Sequence, residues 1–175
     1  MKRIFFPLIF AMLLAGTVTA AFGYRDREFL TEAEIDAIRK NQKIDPRVKL
    51  YLRAALQRLE ATHARMAGQE TLPGDPLEYF TPEDMLDGYY RILNSVMLNI
   101  EDAAYKMPPD KGGIRKALKH LRNQMKKAVP ELEHMEKTAV ERNETELIRL
   151  IQRAAEISRG AMEGAEHALE NKFSE

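Results

Sequence analysis

The chain has 175 residues, with 27 Lys and Arg balanced by 27 Asp and Glu, 4 His, and neither Trp nor Cys. The missing thiols exclude disulfides, cysteine-zinc sites, thiol catalysis and covalent c-type haem attachment. A formal charge of zero removes any general pull toward nucleic acid.

Residues Met1 to Ala20 read as a secretory signal: Lys2 and Arg3 give the charged start, Ile4 to Ala15 the apolar stretch, and Val18-Thr19-Ala20 the cleavage site. The apolar part is shorter than the roughly 20 residues that span a bilayer, and Pro7 interrupts it, so cleavage after Ala20 is expected rather than an anchor. With no cysteine behind that run, a lipid anchor of the lipoprotein type is not expected, and neither is a transmembrane segment after signal removal. Losing Lys2 and Arg3 takes the cations from 27 to 25 against 27 acids, a formal charge of −2. About 155 residues remain, enough for one core that buries roughly 70% of the unfolded surface.

Residues 21–44 form a polar leader with one short helix. Thr31 and Glu34 make a capping box flanked by Leu30 and Ile35, which predicts a helix over Glu32 to Lys40. Asp45 as N-cap and Pro46 at the first helical position start the next helix and open the bundle domain, residues 45–175. Val48, Leu52, Ala55, Leu59 and Met66 hold its apolar face, widened by Tyr51 and Leu56, and Gly68 ends it. Gln69 to Phe80, with Pro73, Gly74 and Pro76, cannot be helical throughout; Leu72, Leu77, Tyr79 and Phe80 predict a loop folded over one bundle end. Thr81-Pro82 repeats the cap-and-proline start. That helix buries Met85, Tyr89, Ile92, Val96, Ile100 and Ala103, with Leu86, Leu93 and Met107 alongside, until Pro108-Pro109 stops it.

Asp110 to Gly113 is expected to turn the chain back, making the next helix an antiparallel neighbour of the one before. In that helix Ile114, Leu118, Leu121, Met125, Ala128, Leu132, Met135 and Ala139 recur at steps of four and three. Pro130 lies inside it, yet the apolar spacing runs through unbroken, so one kinked helix is expected rather than two. Asn143 with Glu146 caps the last helix, which reaches about Asn171 along Leu147, Ile151, Ala154, Ser158, Ala161, Ala165 and Ala168. Gly160 and Gly164 would let another helix approach closely. The expected fold is all-α: an antiparallel four-helix bundle after a short helix, its third bundle helix kinked at Pro130.

Two Glu-x-x-His pairs, Glu60/His63 and Glu131/His134, are the sharpest hint of chemistry. Carboxylate-bridged di-iron bundles use two such pairs plus one glutamate from each remaining helix, a place Glu101 and Glu156 could take. At 100° per residue, however, Glu60 and His134 point to the rims of their stripes and only His63 falls within one. Surface charge pairs around one buried histidine explain the pattern as well. Met66, Met85, Met97, Met107 and Met162 supply thioethers for a b-type haem, but His120 and His167 face away from the apolar stripes, and methionine at helical spacing is usually core. No cofactor and no catalytic residue is expected, and the chain reads as non-enzymatic.

The outer side of the long helix carries Arg115, Lys119, Arg122 and Lys126, with Lys116 and Lys127 beside them and no acid between Lys111 and Pro130. Cations in the first turns oppose the helix dipole, so local stability does not account for Arg115 and Lys116. The row suits an anionic surface: headgroups, envelope polymers or an acidic partner. The simpler reading is a solvated face, or one neutralised by Asp75, Glu78, Glu83, Asp84 and Asp87 of the same molecule. Asn143-Glu144-Thr145 matches an N-glycosylation sequon, but the helix cap explains Asn143.

The run Phe29-Leu30-Thr31-Glu32-Ala33-Glu34-Ile35-Asp36-Ala37-Ile38-Arg39, then Asp45-Pro46-Arg47-Val48-Lys49-Leu50-Tyr51-Leu52 and Arg58-Leu59, resembles an uncharacterised family of exported bacterial all-helical proteins over residues 29–59. The resemblance implies export and an all-α fold, and brings no catalytic residues. Leu30-Thr31 is also similar to the Leu-Thr-x-x-Gln motif of periplasmic helical chaperones and metal-stress sensors, with Glu34 in place of the glutamine. The resulting expectation is a periplasmic or secreted protein that binds a protein partner or envelope surface and no nucleic acid. The alternatives are a metal or redox bundle, or a chaperone or stress sensor acting as a homodimer.

Overall fold

The computed structural model describes residues 29–106 and 108–172; the predicted signal, the first part of the leader and Met107 lie outside them. Among the described residues the chain is all-helical, with five helices, no strand, and no helix long and apolar enough to cross a membrane.

Helix α1, Glu32–Lys40, starts at the expected capping box: Thr31 Oγ1 accepts from the Glu34 amide at 3.3 Å, and Glu34 Oε2 accepts from the Thr31 amide at 2.7 Å. Helix α2, Ile44–Met66, begins earlier than the Asp45 cap predicted, behind Lys43, which makes no side-chain cap. Burial decides the start. Ile44 is part of the core beside Gly113, and the first turn forms around it, while Asp45 accepts from Lys49 Nζ at 3.0 Å instead. The end is as expected: Gly68 takes φ +77°, and the Gly68 and Gln69 amides close on the carbonyls of Arg65 and Ala64.

The following segment is drawn in by Arg65, which donates to Thr71 Oγ1 at 3.0 and 2.8 Å and to the Leu77 carbonyl. Of its four apolar side chains Leu77 and Phe80 are half-buried, whereas Leu72 and Tyr79 are 78% exposed, so these two do not fold over the bundle end. The arginine satisfies the turn through polar atoms and leaves those side chains outside.

Helix α3, Pro82–Tyr105, opens on a second capping box, Thr81 with Asp84. Helix α4, Lys111–Glu141, is capped by Asp110 and runs continuously through Pro130. Gly112 and Gly113 therefore belong to its first turn rather than to a turn before it. Helix α5, Thr145–Lys172, starts two residues after Asn143, which puts Glu144 rather than Asn143 at its N-cap position. Asn143 adopts φ +58° and ends α4, with its own amide bonded to the Val140 carbonyl and the Glu144 amide to that of Ala139. Asparagine tolerates this left-handed position almost as glycine does, and α4 uses it as α2 uses Gly68.

Packing follows the apolar stripes. Helix α4 lies against α5 and α2, and α3 against α2 and α5. Helices α2 and α3 run oppositely, since Arg47 reaches Asn99 at one end and Arg58 abuts Gly88 nearer the other. Helices α4 and α5 also run oppositely, pairing Glu136 with Gln152 and Glu133 with Arg159. Helices α3 and α4, expected to be antiparallel neighbours, do touch, at Tyr89 and Met125 and along the groove beside their connection, but less than α4 touches α5 or α3 touches α2. Val48, Leu93, Val96, Met125, Leu132, Met135 and Ile151 are among the fully buried side chains of the core they share. Truncating one of them to alanine in such a core, Leu132 for example, costs about 2–5 kcal/mol.

Candidate anionic-surface site

Apolar residues on one side of α4 turn the rest outward. Lys119 and Lys126 are exposed, as are Lys116 and Lys127, while Arg115 and Arg122 are half-buried along their stems. Arg122 donates to Asn123 at 3.3 and 3.1 Å, a neutral partner. Arg115 Nε is buried without a hydrogen-bond partner. Among the described residues no ion pair joins Arg115, Lys119, Arg122 or Lys126 to a carboxylate.

Four of the five acids expected to neutralise this row have other contacts. Asp87 meets Arg153 at 3.4 Å and Arg91 at 3.9 Å. Asp84 caps α3, Asp75 accepts from the Leu77 amide at 2.7 Å, and Glu78 accepts from the Gly74 amide at 2.8 Å.

The six candidate metal ligands divide. His63 Nδ1 lies 3.6 Å from Glu131 Oε1, and its ring is 5.9 Å from that of His134, edge to face, on the open side of α2 and α4. Glu60 instead borders a groove beside α1 with Thr31 and Glu34. Glu101 and Glu156 are exposed on α3 and α5. Among the described residues no group of three or more His, Asp or Glu is arranged to hold a metal ion. His63, expected within the apolar stripe, is 47% exposed, because the buried face of α2 is centred near Ala55, Thr62 and Met66 and His63 lies past its Leu59 edge. Of the haem candidates, Met66 and Met85 are core and His120 Nε2 faces Asp45 Oδ1 at 3.4 Å.

Three features escaped sequence reasoning. Arg58 is 1% exposed, donates to both oxygens of Glu34 at 2.9 and 2.8 Å and to the Ala54 carbonyl at 2.8 Å, and backs onto Gly88. Burial works to raise the Glu34 pKa, but the Arg58 bonds and the Thr31 amide together outweigh it and hold the carboxyl below its ordinary value. The signal available was Ala54, Arg58 and Thr62 at steps of four on an apolar face. Next, Tyr89 shares a hydrogen bond of 2.7 Å with Ser158 between α3 and α5, and burial pushes the phenol well above its usual range. Last, an apolar groove of about 790 Å³ lies where α3, α4 and α5 meet.

No protein-family model, curated protein or solved structure matches this chain.

Proposed function

We propose that this chain is an exported, non-enzymatic helical-bundle protein that docks on an anionic envelope surface through Arg115, Lys119, Arg122 and Lys126 of α4. The observation that carries this reading is the row itself: four cations on one side of one helix, with no described carboxylate paired to them. Each lysine or arginine brought near an anionic membrane contributes about 1 kcal/mol, so the row supplies affinity without any deep pocket. An acidic protein partner would use the same charges, and homodimer formation is compatible with it.

In this reading α2 to α5 make a four-helix bundle with α1 strapped across it, antiparallel along the α2–α3 and α4–α5 pairs. Pro130 lacks the amide that would bond to the Lys126 carbonyl and bends α4 there, which sets the angle at which the cation row meets a flat surface. The signal-like pattern at Met1 to Ala20 supports a location in the periplasm or outside the cell. The likeness of residues 29–59 to exported bacterial helical proteins supports the same location.

The test is co-sedimentation of the purified protein with vesicles of anionic and of neutral lipid. Anionic vesicles are expected to carry the protein down, and replacing the four residues by glutamine should weaken that binding roughly 100-fold or more. Unchanged binding after the replacement would rule the row out.

A further inference from the structure

The groove between α3, α4 and α5 is polar at one end only. Glu101 and Tyr105 near the end of α3 and Lys111 at the start of α4 border that end. Further in, Met97, Leu118 and Leu121 are apolar, and α5 contributes only glycine and alanine, from Gly160 to Ala168. A Cβ built on Gly160 or Gly164 meets nothing within 4 Å, so no described neighbour requires those positions to be small. Glycine is nevertheless among the poorest helix formers.

We propose that this groove binds a single-chain zwitterionic amphiphile, a lysophospholipid, with its acyl chain along the glycine-alanine wall of α5 and its charged head between Lys111 and Glu101. The volume of about 790 Å³ falls in the range of small-ligand sites. From Lys111 to Leu121 the floor runs about 15 Å, at 1.5 Å per residue. The polar groups of this lining are confined to the mouth, as an acyl chain with a single charged head requires. The two charges there have opposite sign: the Lys111 ammonium suits a phosphate and the Glu101 carboxylate suits an ammonium head. Tyr105, 77% exposed at the same end, has the amphipathic ring suited to the boundary between chain and head.

This site is independent of the cation row, because the four-glutamine variant leaves Lys111, Glu101 and the groove walls untouched. A fluorescent acyl probe, dansyl-undecanoate, is bound to the purified protein and displaced by lauroyl-lysophosphatidylethanolamine below its micelle concentration. That lipid is expected to displace the probe about tenfold more tightly than monolauroylglycerol, which carries no charge. Gly164→Leu, which points into open space, should abolish probe binding without lowering Tm, and Lys111→Glu should remove the preference for the charged head. Failure of the probe to bind, binding that survives Gly164→Leu, or equal affinity for the uncharged ester would overturn the proposal. So would a concentration-dependent dimer by light scattering that Gly164→Leu disperses with no lipid bound, since a second copy would then fill the groove.

Discussion

Arg58 donates to both carboxylate oxygens of Glu34, at 2.9 and 2.8 Å, and the same carboxylate accepts the Thr31 amide that starts α1. One side chain therefore closes a helix cap and neutralises a cation that is 1% exposed. Removing the acid leaves a buried charge without a counter-ion, so Glu34→Ala should cost about 3–5 kcal/mol in urea unfolding. Replacing both residues, as Glu34→Ala with Arg58→Met, should recover much of that loss. A double variant no better than the single one would show that the cap, not the ion pair, holds α1.

The same pair sets an acid limit. The folded Glu34 pKa lies below its ordinary 4.5, so its contribution is complete above that value and is lost as pH falls through the folded value. Stability measured from pH 6 to pH 2 should decline below about 4.5, and more shallowly in Glu34→Gln. Tyr89 works in the opposite direction. Its pKa is raised above 10.0 by burial, offset in part by Ser158 and aided by the charge of Glu131. Its contribution is full below pH 10.0 and drains away as pH rises through the folded value, a loss that Tyr89→Phe should lack.

Between α3 and α5 the hydroxyls are not equivalent. Ser158 Oγ donates to the Ala154 carbonyl at 2.7 Å, which leaves Tyr89 as the donor across the helices. Tyr89→Phe leaves Ser158 satisfied and should cost about 1 kcal/mol. Ser158→Ala leaves the phenol buried against Met125 sulfur at 3.7 Å and should cost more, about 2 kcal/mol. Thermal unfolding of the two variants side by side checks the order.

Two helical glycines should respond with opposite sign. A Cβ on Gly88 would stand 3.2 Å from Arg58 Cδ, and Arg58 is locked by Glu34 and Ala54, so Gly88→Ala should destabilise despite better helix propensity. Gly164→Ala meets nothing within 4 Å and should gain up to about 1 kcal/mol. Equal shifts in both variants would mean that Arg58 yields.

Local signals were legible in the sequence and spatial ones were not. Thr31 with Glu34 and Thr81 with Pro82 marked two helix starts because each signal lies within three residues of chain. Asp45 misled because the burial of Ile44, a long-range contact, outweighed a local cap. Asn143 misled because one residue type both caps a following helix and ends a preceding one. Periodicity identified the buried side of α3 and α4 but not which helix would cover it, so the main contact of α4 with α5 rather than α3 went unforeseen. The row on α4 was readable residue by residue. The groove was not, since Glu101, Lys111 and Gly164 come together only in the folded chain.

The central claim is electrostatic, and salt tests it most directly. Binding of the purified protein to anionic vesicles is measured as ionic strength rises from about 0.05 to 0.5 M, over which screening shortens to a few ångströms. The account predicts strong association at the low end that is released by the high end, with no such release to measure in the four-glutamine variant. Association that is absent at low salt, or that persists unchanged across the range, would contradict it.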